Sequence, residues 1–474
     1  MKPYDIEITG VQLYFIPVRT RVPLKFGAET LTEVTCARAC IQTRNRNGET
    51  GEGWGETPLS VQWVWPSPLS YETREKALQA FCLMIAGELT EWATEPGHAF
   101  ELGYRFIHER LPELKERFQK EQGAESGVSD SESLPYLAAL VCFSLFDIAL
   151  HDAYGMTNRV PTYSTYNATY MNADLSAYLE PAAEADVRFD GRYPDHFLAA
   201  QPPQELVAWH LVGGKDMLYR HELNGSEPED GYPYALEDWT RQDGLYALKI
   251  KLTGNDPAWD YDRLVQVGAI AQAQGVQWLT ADFNCQVTAP GYVTDILDRL
   301  MLEHPKVYQS ILYVEQPFPY DLHAHPIDVR SVSARKPLFM DESAHDWEVV
   351  RLGRELGWTG VALKTCKTQT GALLSLVWAK AHGMTLMVQD LTNPMLAQIP
   401  HVLLAAYAGT IMGVETNGMQ FYPEASSYEA AVHPGLYSRE NGTVKLDTLQ
   451  GYGFGYRIER IGRTLPAPAF SSPS

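Results

Sequence analysis

The chain has no uninterrupted apolar run near the ~18–20 residues that a membrane-spanning helix requires. Its N-terminus, MKPYDIEITGVQLYF, carries no basic stretch followed by an apolar core. Neither a membrane span nor a signal peptide is expected. Basic residues are outnumbered: 38 Lys and Arg against 59 Asp and Glu over 474 residues leave a formal charge of −21. A surface that acidic repels phosphate backbones and anionic membrane faces, which argues against nucleic acid or membrane as partner. An anionic substrate would have to be met by local cations. Cysteine is sparse and unpatterned. Cys36, Cys40, Cys82, Cys142, Cys285 and Cys366 form no CxxC pair, so no zinc signature is present and free thiols in a reducing cytoplasm are expected. The remaining composition, 45% hydrophobic and 20% charged, is that of an ordinary globular chain long enough for two domains or a large barrel with attachments.

The pattern along the chain changes character near residue 215. Residues 6–15 alternate like a strand, 32–43 are rich in β formers, and Asn47-Gly48 marks a turn between strands. Residues 71–120 carry helical periodicity through Ala77, Phe81, Met84 and Ile85. The polar stretch 121–132 reads as a loop, and a further helix runs through Leu137, Val141, Leu145 and Ile148. This reading makes residues 1–158 an α+β module. Residues 159–214 form an irregular insertion rich in Tyr, Pro, Ala and Asp, either functional or a packing arm. Within 215–425, β-rich runs at 217–222, 246–251, 277–282, 311–315, 338–341, 361–364, 385–389 and 411–415 alternate with helical stretches. From Lys251 onward the strand ends are spaced 31, 33, 26, 23, 25 and 26 residues apart. That regularity predicts a (β/α)8 barrel, with 426–474 returning to the N-terminal module.

In such a barrel the C-terminal strand ends face the active site. Strand two ends in Lys249-Ile250-Lys251, whose lysines share one face by the period of two. Asp282, Glu315 and Asp341 end the next three strands, and Lys364 ends the sixth. Three converging carboxylates repel one another unless a cation joins them, and an all-oxygen set favours a hard ion, with Mg²⁺ the default. A lone carboxylate at a strand end usually means only a cap or surface charge. A lone Lys-x-Lys usually means a solvated edge. Here the lysines lie in an otherwise apolar strand, where burial and a neighbouring ammonium are expected to lower their pKa toward the range of a general base. Lys367 is expected beyond the strand, facing solvent.

The order Lys-x-Lys, Asp, Glu, Asp, Lys, in the strings LKIKLTG, LTADFN, YVEQP, FMDES and ALKTCKTQTG, resembles the mandelate racemase/muconate lactonizing enzyme family of the enolase superfamily. GETGEGWGETP and SLFDIALHDAYG resemble its capping domain, WHLVGGKD its entry to the barrel, and PGLYSRENGTVKL its C-terminus. The 160–204 insertion is the main departure. The resemblance implies that Asp282, Glu315 and Asp341 bind Mg²⁺, and that Lys251, helped by Lys249, works on one substrate face and Lys364 on the other. It implies α-proton abstraction from a small carboxylate to a metal-stabilised enediolate, in a homo-oligomeric enzyme. No histidine ends strand seven, where Gln389-Asp390 stand, which places the chain with the muconate-lactonizing-enzyme-like subgroup rather than the mandelate-racemase-like one. His382, upstream on the helix, is expected to be structural or solvent-facing.

Racemisation, epimerisation, cycloisomerisation and dehydration share this half-reaction, so the overall reaction stays open. A Schiff-base lyase using a buried lysine would leave the three acids unexplained, and a non-catalytic carboxylate-binding relative would be told apart by the absence of solvent deuterium in any bound acid. Specificity is expected from cap segments 19–30 and 54–66, the latter holding Trp54, Trp63 and Trp65 as either core or lid. Asn284, Gln389, Glu415 and Trp63 are the candidate substrate contacts, with Asn417 beside them.

Overall fold

A computed structural model describes residues 1–26, 29–92, 94–126 and 133–472. Gly27 and Ala28, in cap segment 19–30, and 127–132, in the expected polar loop, lie outside the described residues. The N-terminal strands β1 (Ile6–Phe26), β2 (Glu29–Asn45) and β3 (Thr50–Pro58) form an antiparallel meander. The β2–β3 turn passes through Gly48 at φ +82°, a conformation that suits glycine. Helices Tyr71–Glu91, Ala99–Arg105, Leu111–Ser126 and Tyr136–Asn158 accompany the sheet. Helix Leu111–Ser126 extends into the stretch expected as a loop. Helix Tyr136–Asn158 is long and apolar enough to cross a membrane, but 94% of its apolar window is buried inside the molecule. Gly53 and Gly55 of β3 lie so close to the backbone of Ala149, Ala153 and Leu145 that a Cβ would collide, which explains the glycine spacing in GEGWGETP.

The barrel strands are β4 (Glu205–Val212), β5 (Ala247–Lys251), β6 (Trp278–Asp282), β7 (Ile311–Glu315), β8 (Leu338–Met340), β9 (Gly360–Leu363), β10 (Thr385–Val388) and β11 (Val414–Glu415). They pair in parallel in the order β10-β9-β8-β7-β6-β5-β4-β11, and a Gln389–Glu415 bridge joins the two ends. The fold is therefore a (β/α)8 barrel with an α+β cap. Seven expected runs coincide with strands. The first does not: β4 lies ahead of it, inside the segment read as insertion and entry. Residues 217–222 turn back on themselves, with Leu218 N and Tyr219 N donating to the Glu222 carboxylate, and Arg220–Glu222 is a short 3₁₀ turn.

Trp209, Ala247, Tyr313, Phe339 and Met387 form one apolar layer inside the barrel. Each such burial is worth roughly 1.5–3 kcal/mol for a large side chain. The insertion is a packing arm: Tyr163, Tyr166, Met171, Leu175 and Phe189 are buried in the barrel's outer core. His382 is structural, accepting from Ala182 N at 3.0 Å and stacking on Trp378. After the barrel, β12 (Thr443–Lys445) pairs with β4, and β13 (Phe470–Ser471) returns to the cap beside β1. All six cysteines are free thiols.

Candidate active site

Two residues beyond the apolar layer, the period of two places Leu211, Lys249, Glu315, Asp341 and Gln389 in the next layer toward the C-terminal rim. Register then brings the charges together. Lys251 pairs with Asp282 across β5 and β6, and Asp282 pairs with Glu315 across β6 and β7. Lys249 Nζ lies 2.6 Å from Glu315, 2.9 Å from Glu415 and 3.1 Å from Asp282. Lys251 Nζ donates to Asp282 at 2.5 Å. On the far side Lys364 Nζ is 3.3 Å from Asp341 and donates to the Asp390 carbonyl at 3.1 Å. Strands β5 and β9, which carry these lysines, are four apart in the ring and so lie across the barrel mouth from each other.

The loops leaving the strands are strained where they meet the site. Asn284, Cys285, Gln316, Thr368 and Thr392 all have positive φ without being glycine, a pattern held in place only by surrounding contacts. Gln316 Oε1 accepts from Asp341 N and Ser343 Oγ, both at 2.7 Å, which fixes the turn carrying Asp341.

Six buried carboxyl groups, Asp282, Glu315, Asp341, Glu342, Asp390 and Glu415, stand with only four ammonium groups, Lys249, Lys251, Lys364 and Lys367. Burial opposes ionisation of Asp282 and of Asp341, yet the adjacent lysines hold both carboxyls below the usual range. Burial, then Asp282, Asp341 and Glu415, push Glu315 well above it against the pull of Lys249. Burial and Asp341 push Glu342 up to about 7. Burial disfavours the Lys249 and Lys364 ammonium groups, but the surrounding carboxylates more than offset it and raise both pKa values, for Lys249 against the sequence expectation. Lys367 is lowered, by burial first. Lys367 also corrects its expected exposure: it is buried and donates to the backbone carbonyls of Asp341 and Ala344.

The donor chemistry fits a hard divalent ion. Among the described residues no three acidic side chains already meet with metal–ligand spacing, because the Lys249 ammonium lies between Asp282 and Glu315. The excess of two carboxyl groups over ammonium groups matches one divalent charge. Buried acceptor atoms nearby, Glu342 Oε2 and Asn284 Oδ1, have no protein partner. A lysine side chain rotates far more easily than a barrel strand shifts, so the Lys249 ammonium can yield its place between Asp282 and Glu315 to an ion.

A cavity opens onto this ring, lined among others by Lys249, Lys251, Lys364, Asp341 and Trp63. Trp63 is the cap's contribution: its ring lies 5.4 Å from Lys364 Nζ, and its indole N–H donates to Glu342 at 3.0 Å. Trp65 is buried in the cap core, and Trp54 stacks on Tyr14 outside the cavity lining. Gln389 is a bridge, donating to Glu315 at 2.5 Å while its oxygen faces Lys364. Asn284 N donates to Asp282, and Glu415 is engaged by Lys249 and by Asn417 Nδ2 at 2.7 Å. Sequence reasoning missed Glu342 and Leu211. The first adjoins Asp341 and could have been found by asking which cap residue meets it. The second lies on the strand that was misplaced.

Residues 234–460 match the family model described as Enolase C-terminal domain-like. The barrel part of the chain is thus similar to that family over just under half of the 474 residues. Solved structures with the same fold include the L-Ala-D/L-Glu epimerase from Bacillus subtilis, at 17% identity and TM-score 0.59, covering 95% of this chain and 98% of that one. The N-succinyl Arg/Lys racemase from Bacillus cereus aligns at 16% identity and TM-score 0.60, over 98% and 99%. A mycobacterial muconate lactonizing enzyme aligns at 14% identity and TM-score 0.55, over 95% and 96%. No curated protein matches the chain.

Proposed function

We propose that this chain is an Mg²⁺-dependent enzyme of the muconate-lactonizing-enzyme-like subgroup that removes the α-proton of a small carboxylate, with racemisation or epimerisation as its overall reaction. The observation that carries this reading is the pair Lys251 and Lys364, facing one cavity from opposite sides of a ring of carboxylates. Asp282, Glu315 and Asp341 would hold the ion. Bound Mg²⁺ supplies Lewis-acid stabilisation of the charge gathering on the substrate carboxylate, and it draws off the carboxylate charge that otherwise keeps the lysines protonated. Lys251 takes the proton from one face, with Lys249 beside it on the same strand. Lys364 delivers a proton to the other face, held in line by Gln389 and the Asp390 carbonyl. Trp63 and the cap hairpin exclude water during the transfer. Three structural relatives were solved with Mg²⁺, two of them dipeptide epimerases, which supports the ion and the isomerase reading.

Metal binding tests the ligand set. In calorimetric titrations with Mg²⁺, Asp282→Asn, Glu315→Gln and Asp341→Asn should each lose tight binding and turnover while keeping a cooperative unfolding transition. Undiminished affinity in all three would rule the assignment out.

A further inference from the structure

The walls of the active-site cavity describe the part of the substrate away from the reacting carboxylate. Leu24 and Leu31 of the cap hairpin, Leu211 of β4, Leu391 and the Trp63 ring supply its apolar surface. Among the described residues lining it, the only cations are Lys249, Lys251 and Lys364, and each is already held by a carboxylate of the ring. A second anionic group on the substrate would lose its water beside Asp390 and Glu415 with no cation to meet it.

A substrate ammonium fares no better, because the acids it could reach are already engaged. Asp390 accepts from Asn393 N at 3.2 Å, Asn417 N at 2.7 Å and Asn417 Nδ2 at 3.0 Å. Glu415 accepts from Lys249 and from Asn417 Nδ2. The Asn417 amide cannot be flipped, since its nitrogen faces carboxylate oxygens. That orientation leaves Asn417 Oδ1 as a buried acceptor with no partner, on a residue that lines the cavity. A buried acceptor of this kind selects a ligand that carries a donor.

We infer that the substrate is a monocarboxylate whose remainder is uncharged and largely apolar, bearing one neutral N–H or O–H that meets Asn417 Oδ1. This rests on the α-proton reading above and narrows it: the site would turn away substrates with a second carboxylate or a free ammonium.

Three probes on one scaffold separate the possibilities, using the wild-type enzyme with Mg²⁺ in D₂O and α-deuterium incorporation read by mass spectrometry. N-acetyl-leucine is neutral beyond its carboxylate, N-succinyl-leucine adds an anion, and alanyl-leucine adds an ammonium. The expected result is exchange of N-acetyl-leucine at least ~100-fold faster than of either charged probe. Faster or equal exchange of N-succinyl-leucine or alanyl-leucine overturns the inference and leaves α-proton chemistry intact. Exchange of none of the three, with Mg²⁺ binding still dependent on Asp282, overturns the substrate class alone. Failure of both exchange and Mg²⁺ binding overturns this inference and the proposed function together.

Discussion

Single side chains in this molecule are governed by how burial and charge are balanced, and Asp147 shows the balance outside the active site. It lies on the buried cap helix Tyr136–Asn158 and accepts from Thr370 N at 2.8 Å and Thr370 Oγ1 at 2.9 Å, tying the cap to the helix that follows β9. Burial pushes its carboxyl up to about 7, with the Thr370 bonds acting against the shift. An acid whose folded pKa lies above its unfolded value binds more protons when folded. Its contribution to stability is therefore full below about pH 4 and is lost as pH rises toward 7. Asp147→Asn removes that loss and keeps an oxygen for the Thr370 amide. Relative to wild type, the variant should gain stability between pH 5 and pH 8 in urea unfolding. Parallel pH profiles for the two proteins would contradict the assignment. The same balance explains why the Lys249 shift runs opposite to the reading of Lys249-Ile250-Lys251 as two neighbouring buried ammonium groups: long-range pairing surrounds Lys249 with several acids.

At the scale of elements, the β1–β2 hairpin decides access to the site. Leu24 and Leu31 line the cavity from its two arms. The hairpin is held by Arg21, which pairs with Asp230 in the loop after β4, donates to the Tyr232 carbonyl at 3.0 Å, and lies 5.6 Å from the rings of both Tyr232 and Tyr234. Removing that clamp loosens a wall of the cavity without touching the lysines. Arg21→Ala should raise KM about fivefold, the equivalent of ~1 kcal/mol for one partly buried pair, with kcat changed much less. Equal losses in kcat and kcat/KM would show instead that the hairpin acts on the chemical step. Element identity was legible where a strand reads the same locally and globally. Runs such as Leu248-Lys249-Ile250-Lys251 are flanked by turn residues and spaced by helices, so seven barrel strands could be placed. The first could not, because both 205–212 and 217–222 are rich in β formers, and only Glu222 folding back on Leu218 N distinguishes them. The aromatic cap segment was legible as aromatic but not as core or lid. Val61, Val64 and Trp65 are buried in the cap core, and Trp63 alone turns toward the cavity, a division set by the short helix Val61–Val64.

On the scale of the whole molecule, the cap sheet and the segment that follows the barrel are joined by buried charge as well as by packing. Arg38 of β2 pairs with Glu56 at 2.5 Å and with Glu429 from beyond the barrel at 3.3 Å, and Arg463 pairs with Glu429 at 2.6 Å. Pairings such as Arg38–Glu429, between residues hundreds of positions apart, have no local signature, which is why the sequence could place the carboxylate order on the strands but not the Glu342–Trp63 contact between cap and barrel. The order itself was legible because barrel topology converts regular spacing into a ring: Lys251 and Lys364, 113 positions apart in the chain, come to face one cavity. The central claim is that these two lysines serve opposite faces of one α-carbon. Lys251→Ala and Lys364→Ala, assayed with both stereoisomers of an active substrate in D₂O, test it most directly. Each variant should keep α-proton exchange from one stereoisomer and lose it from the other by ~10²–10⁴-fold, in opposite senses, with net isomerisation gone in both. Near-normal exchange from both stereoisomers in both variants would contradict it.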